Sequence, residues 1–335
     1  MVSDKDNEDP ELQWLKNIPY DTRQLAIKEY VGSYKAAKQH KKQPNMTFKL
    51  KKATSHVFHI DKNALKNENG KIVLFKKRKL GYLRLRKTKR NKSFLKNFTN
   101  GTDCKLIKYS DGSYYLLITK QKIIRKKVTH NSIALDPGVR CFQTGYSPDG
   151  FIGEFGSNIL DKVNPYTDYI NKLNTLKTKS VYKTRRNMSL RQHKSRTKIK
   201  NIVNDFQWKL ANYLCSNFET IITSNFNTSD MVKKENRTIS KTTVKDMYCL
   251  SHFKFREKLK HKARQMNRRL IIINEAYTSK TCTSCGNIKD LKGEKIYKCD
   301  NCNLVIDRDI NGARNIYLKT LNKFSGYDTS SLGSK

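Results

Sequence analysis

Hydrophobic and polar residues follow three different rhythms along this chain. Between residues 10 and 43, Leu25, Tyr30 and Tyr34 recur at roughly helical spacing. Pro10 and Pro19 punctuate the start of that segment, and the basic stretch KQHKKQP closes it. From about 46 to 128 the rhythm shortens. TFKLKKATSHVFHI, KIVLFKKRKLGYLRLR and CKLIKYSDGSYYLLITK carry alternating or short apolar runs. Asp111-Gly112, set between apolar flanks, is a strong hairpin signal. This pattern predicts a small antiparallel barrel that is basic on its outside.

In the third region strands and helices alternate. The apolar run IAL ends in Asp136, Pro137-Gly138 turns the chain, and a second strand is expected from Cys141 to Tyr146. Asp149-Gly150 makes another turn. Residues 160–216 read as helical, with Ile199, Ile202, Phe206, Leu210, Tyr213 and Leu214 at helical period. TIITSNF (220–226) reads as a strand and the polar stretch 230–250 as a loop or lid. FKFREKLKHKARQMNRR is an amphipathic basic helix, and LIIINEA (270–276) a buried strand that again ends in an acid. A last helix is expected over about 308–322, and the tail GYDTSSLGSK reads as disordered. This alternation is the signature of an α/β domain.

Charge changes the picture more than length does. The 335 residues hold 69 Lys and Arg against 29 Asp and Glu, a net charge of +40. An excess of that size repels itself unless a polyanion neutralises it, which points to nucleic acid. The densest basic stretch is YKTRRNMSLRQHKSRTKIK, and its Arg185, Arg186, Arg191 and Arg196 are candidate phosphate contacts. Tyr114, Tyr115 and Trp208 are rings that either stack on bases or fill a core. No apolar run approaches the ~18 residues of a membrane span. MVSDKDNEDPELQWLK is acidic and polar, unlike a secretory leader, so an intracellular protein with reduced thiols is expected.

Cysteines are therefore read as metal ligands or buried thiols. Cys282-x2-Cys285, thirteen residues, then Cys299-x2-Cys302 is the spacing of a four-thiolate zinc ribbon. Gly286 follows the first pair, where a tight turn needs conformational freedom. Four protein sulfurs leave no open coordination position, so the zinc is structural. Cys104, Cys141, Cys215 and Cys249 have no partner at ligand spacing and read as small buried hydrophobes.

Acids are scarce, and several stand where apolar runs give out: Asp136, Glu275, Asp307 and Asp309. Singly each has a plain reading, as a turn residue or a helix N-cap. Together they read as a carboxylate cluster, and such clusters repel unless cations lie between them. Two Mg²⁺ ions held by carboxylates are the usual apparatus for attack of water on a phosphodiester.

SIALDPGVRCFQTGYSPDG, NEAYTSKTCTSCG and YKCDNCNLVIDRDINGARNIYLK resemble the TnpB and Fanzor proteins, transposon-encoded relatives of type V CRISPR effectors. LDPGVR and EAYTSKTC are nearer in wording to Fanzor. WLKNIPYDTRQLAIKEYVGSYKAAK resembles the helical lead-in of the family, whose usual opening strand and helices do not precede it here. The resemblance implies an α/β RNase H-like (RuvC) nuclease domain with an inserted zinc ribbon, preceded by a small β-barrel wedge domain and a short N-terminal helical segment. On this sequence that gives a helical segment at 1–45, a wedge-like barrel at 46–130, RuvC at 131–280, the ribbon at 281–304, the last RuvC acid and helix at 305–322, and a tail at 323–335.

The family's usual second acid falls at Ser224, which cannot hold a metal ion as a carboxylate does. Some relatives carry that glutamate before the ribbon, and Glu275 fits the relocated position. The family's last acid stands two residues before Asn, as Asp309 does before Asn311, with Asp307 the second choice. The resemblance thus implies a catalytic and Mg²⁺-binding set of Asp136, Glu275 and Asp309. It implies an RNA-guided DNA endonuclease, encoded by a transposable element, that works as a monomer with a guide RNA on double-stranded DNA. In a eukaryotic host its place would be the nucleus, and otherwise the cytoplasm or nucleoid. The alternatives are an RNA-guided binder that no longer cuts, and a transposition accessory protein that transfers DNA strands.

Overall fold

The computed structural model describes residues 10–39, 53–68, 71–76, 81–86, 103–110, 112–119, 128–232, 239–274, 276–291 and 294–324, together with 47 and 50. The chain divides into two compact units near residue 121.

In the first unit, a 3-10 segment (Pro10–Asn17) precedes helix α1 (Tyr20–Gln39). The sequence reads as one helix from residue 10. Pro19 explains the break, because it has no N–H to continue a helix and instead offers its carbonyl to Thr22 N and Arg23 N at the start of α1. Across the span expected to form a barrel, the described residues make two three-stranded antiparallel sheets. One has the order β1-β5-β6 and the other β2-β3-β4. The strands are β1 (Ser55–Ile60), β2 (Leu65–Glu68), β3 (Lys71–Leu74), β4 (Tyr82–Leu83), β5 (Cys104–Tyr109) and β6 (Tyr114–Ile118). Alternation sends Ile60, Leu65, Ile72 and Cys104 into one shared core. The β5–β6 hairpin turns where expected, with Gly112 N donating to Tyr109 O (3.0 Å); Asp111 lies outside the described residues.

The second unit is built on a five-stranded sheet of order β11-β10-β7-β8-β9. Its strands are β7 (His130–Pro137), β8 (Gln143–Tyr146), β9 (Ile152–Phe155), β10 (Phe218–Ser224) and β11 (Arg269–Ile273). β7, β10 and β11 are mutually parallel; β8 pairs antiparallel with β7, and β9 antiparallel with β8. The helices are α2 (Ile159–Thr178), α3 (Tyr182–Asn217), α4 (Lys241–Leu250), α5 (His252–Met266) and α6 (Arg308–Phe324).

Strand alternation decides which helix covers which face. Ile133, Leu135 and Ile221 meet Leu210 and Leu214 of α3 and Phe255 and Leu259 of α5. Each fully buried Ile or Leu there contributes about 1.5–3 kcal/mol. Ala134, Ile222, Ile271 and Ile273 face the other way and meet Ile316 of α6. β11 is an edge strand and half-buried, not the buried strand its apolar run suggests, because only β10 flanks it.

Two further elements differ from the sequence reading. Residues 160–216 are two helices, since Ser180 Oγ donates to Leu176 O (2.7 Å) and ends α2 without glycine or proline. Val163 and Ile170 of α2 then pack on Ile199 and Val203 of α3. The stretch read as a loop at 230–250 holds α4. Its N-cap Ser240 accepts from Thr243 N (3.1 Å), and Val244, Met247 and Leu250 are buried. The tail lies outside the described residues.

Candidate active site and metal centre

Asp136 stands next to the end of β7, and Ala134, two residues earlier, packs toward α6. The same alternation turns Asp136 toward that helix. Gly312 of α6 is where it arrives: a Cβ built on Gly312 would lie 2.6 Å from Asp136 Oδ2 and 3.0 Å from its Cγ. Only a residue without a side chain allows this approach. Gly312 is three residues after Asp309, so the two lie on neighbouring turns of one helical face. β7 and α6, more than 160 residues apart in sequence, thereby meet at Asp136 and Gly312.

Asp309 and Asp307 have different work. Asp307 Oδ1 accepts from Asp309 N (2.9 Å) and Ile310 N (3.2 Å), the bonds of an N-cap. Its carboxylate is spent on the helix backbone. Asp309 lies in the first turn of α6, its side chain 20% exposed, with Arg308 Nε at 3.5 Å from Oδ1. Glu275, two residues past the end of β11, lies outside the described residues. Ser224 is the last residue of β10, buried, and pairs with Ile273. A small cleft lined by Pro137, Gln143, Thr223, Ser224, His252 and Arg256 opens beside it.

The four ribbon cysteines converge. Their sulfurs all lie within 4.8 Å of one another, with Cys282–Cys302 and Cys285–Cys299 each at 3.6 Å. A tetrahedral zinc with ~2.3 Å bonds puts its sulfurs about 3.8 Å apart, so the residues fit that ion. Backbone N–H groups stabilise the anionic sulfurs. Asn287 N–H holds the Cys285 thiol down at about 6, and Cys302 N–H lowers Cys299. Burial pushes Cys282 up to about 11, so its proton must leave when metal binds. Gly286 has φ +77° and donates to Cys282 O (3.0 Å), as the expected knuckle turn requires. Tyr297, fully buried, forms the ribbon's core with Leu291, Leu304 and Ile306.

Two asparagines fasten the ribbon to the acid-bearing helix: Asn311, which the sequence supplied only as a marker for Asp309, and Asn315, which it did not single out. Asn311 Nδ2 donates to Thr281 O (2.8 Å), and Thr283 N donates back to Asn311 Oδ1 (3.3 Å). Asn315 Nδ2 reaches both Thr278 O (2.8 Å) and Thr281 O (2.7 Å). Both asparagines are buried. Their spacing of four residues, on a helix whose neighbours are apolar, was the available signal.

The candidate phosphate contacts Arg185, Arg186, Arg191 and Arg196 are all exposed on α3. Arg185 and Arg196 are about three turns apart and share a face, while Arg191 lies on another. Tyr114, Tyr115 and Trp208 are exposed, which settles against the core reading of those rings. Cys104, Cys141 and Cys215 are buried as expected, and Cys249 partly so. Among the described residues no helix is long and apolar enough to cross a membrane.

Residues 252–316, from α5 through the ribbon to α6, match the family described as Cas12f1-like, TNB domain. The chain is 30% identical over 217 residues to TnpB-like protein L79 of Acanthamoeba polyphaga mimivirus, an alignment covering 62% of this chain and 41% of that protein. It is 27% identical to the putative transposase A625R of Paramecium bursaria Chlorella virus 1, covering 94% of this chain and 72% of that one. It is 25% identical to the putative RNA-guided DNA endonuclease InsQ of Escherichia coli (strain K12), covering 91% and 76%. The chain spans about two-fifths of the length of L79.

Proposed function

We propose that this chain, which belongs with the TnpB-like proteins, is an RNA-guided DNA endonuclease encoded by a transposable element. The observation that carries the reading is the approach of Asp136 to Gly312, one helical turn from Asp309. A mixed five-stranded sheet with helices on both faces supports the RNase H-like (RuvC) assignment. The two small antiparallel sheets with one core support a wedge-like domain before it.

Asp136, Asp309 and Glu275 are the residues that would hold Mg²⁺, a hard cation suited to carboxylate oxygens. Two such ions, when bound, would supply activation of the attacking water and stabilisation of the leaving 3′ oxygen. The chain's own residues do the positioning. Gly312 leaves room for the Asp136 carboxylate, and Asp307 fixes the first turn of α6 and so the place of Asp309. Zinc in the four-cysteine ribbon would hold the segment that Asn311 and Asn315 tie to that helix. Exposed arginines on α3, with the net charge of +40, supply the grip on guide RNA and double-stranded target DNA. The LDPGVR and EAYTSKTC wording supports the narrower kinship to Fanzor.

The test is to purify the protein with its RNA, sequence that RNA, and offer matching DNA with Mg²⁺. Cutting is expected, and Asp136→Ala should abolish it while the RNA remains bound. A protein that carries no RNA, or an Asp136→Ala variant that still cuts, defeats the reading. Ser224 favours a second reading, in which the chain binds guided DNA without cutting, because a buried hydroxyl ends β10 where the resemblance implies an acid. RNA in the purified protein with no nicking by wild type would select it.

A further inference from the structure

Helices α3 and α5 bury their apolar faces against the sheet, and a polar rim runs along the seam between them. Lys200, Asn204 and Trp208 recur every four residues on α3, and Lys254 and Lys258 do the same on α5, so each set forms one stripe. The stripes meet at Lys258. Its Nζ donates to Asn204 Oδ1 and to Gln207 Oε1 (2.5 Å), and lies 5.9 Å from the centroid of the Trp208 ring. Gln207 is buried and anchored by its own bond to Leu250 O (2.6 Å), so this ammonium is held in a fixed place. Trp208 is 42% exposed, with His261 edge-on to it at 5.9 Å.

We propose that this rim is a binding site for an unpaired nucleotide, with Trp208 stacking on the base and Lys258 and Lys254 holding the phosphate. The proposal rests on the nucleic-acid reading above and names residues that the arginine stretch does not include. Its physical ground is an ammonium whose fixed partners are neutral amides. Burial, then repulsion from the charges of Lys254 and Lys200, pushes the Lys258 amine down to about 8. Asp205, the acid next to Asn204, is engaged by Lys209 (2.6 Å). A phosphate relieves that repulsion where a neutral ligand does not. A large aromatic face with part of its surface in water, beside anchored cations, is the arrangement by which single strands are held without regard to sequence.

Trp14 and Trp208 are the chain's two tryptophans, so Trp14→Phe makes Trp208 the sole indole reporter. Titrating that protein, stripped of RNA, with a short oligouridine should quench its fluorescence. Trp208→Leu should weaken binding about tenfold and Trp208→Phe much less. Lys258→Gln keeps hydrogen-bonding groups in the seam and removes the charge, and should reduce the slope of log affinity against log salt by ~0.7. If a mobility shift shows binding but fluorescence and salt slope do not move, this site is wrong and the nuclease reading stands. If the protein binds no oligouridine and carries no RNA, both fall together.

Discussion

The four-cysteine ribbon and the candidate acids adjoin one another on α6 yet are built on opposite plans. The ribbon's ligands lie within 21 consecutive positions, and two short knuckles bring them together whatever the rest of the chain does. Asp136 and Asp309 come from a strand and a helix more than 160 residues apart, and only the sheet's register and the missing side chain of Gly312 let Asp136 reach that helix. A local site survives much rearrangement around it. A long-range site depends on every layer beneath it. Asn311 and Asn315 couple the two plans, so the ribbon serves the acids by fastening their helix.

The largest break should come from the ribbon itself. Cys299→Ser removes one of four sulfurs, and structural zinc contributes on the order of 10 kcal/mol to folding such sites. Metal analysis should find less than one zinc per chain, with early proteolysis confined to 281–304. Next comes Gly312→Ala. The added methyl must displace the Asp136 carboxylate, and misplacement of about 1 Å at a reacting centre costs roughly 10²-fold in rate. Cutting should fall by that order while zinc content stays at one per chain.

A third test concerns pH. His252 is buried between Phe142, stacked at 4.6 Å, and Phe226, and burial pushes its pKa down to about 4, with Arg256 adding to the effect. The unfolded chain therefore binds a proton below about 6.5 that the folded one refuses until about 4. Stability should drop across that window by on the order of 3 kcal/mol. His252→Phe should flatten this part of the denaturation profile, and an unchanged profile would contradict the assignment. A smaller effect is expected from Asn311→Ala, which removes one of the two donors to Thr281 O and the acceptor of Thr283 N, and should cost about 1 kcal/mol, read as a lower urea midpoint. If cutting falls while the midpoint holds, the link between ribbon and helix is catalytic and not only structural.

The same contrast explains what could be read from residue order. Cysteine spacing carries its own geometry, so all four ligands were legible, down to the turn at Gly286. Asp136 was marked by an apolar run ending in Asp-Pro-Gly, but its partner Gly312 was not, because no local pattern reports a contact across the fold. Asp307 and Asp309 are indistinguishable by strand and helix signals alone; only the N-cap bonds show which carboxylate is occupied. Helix α4 was hidden by its polar residues, although Ser240 with buried Val244 and Met247 was its cap and stripe. The break at Ser180 has neither glycine nor proline to mark it. Trp208 sits at core spacing beside Leu210 yet points outward, which periodicity does not resolve.

Asp309 and Asp307 provide the most direct trial of the central claim, because they are two residues apart and differ in what their oxygens touch. Asp309→Asn and Asp307→Asn should be compared in the RNA-loaded protein for Mg²⁺-dependent cutting of matched DNA. Asp309→Asn is predicted to abolish cutting with RNA still bound, and Asp307→Asn to keep most of it with stability nearly unchanged, because an asparagine oxygen also caps a helix. Full cutting by Asp309→Asn, or its loss only in Asp307→Asn, would contradict the account.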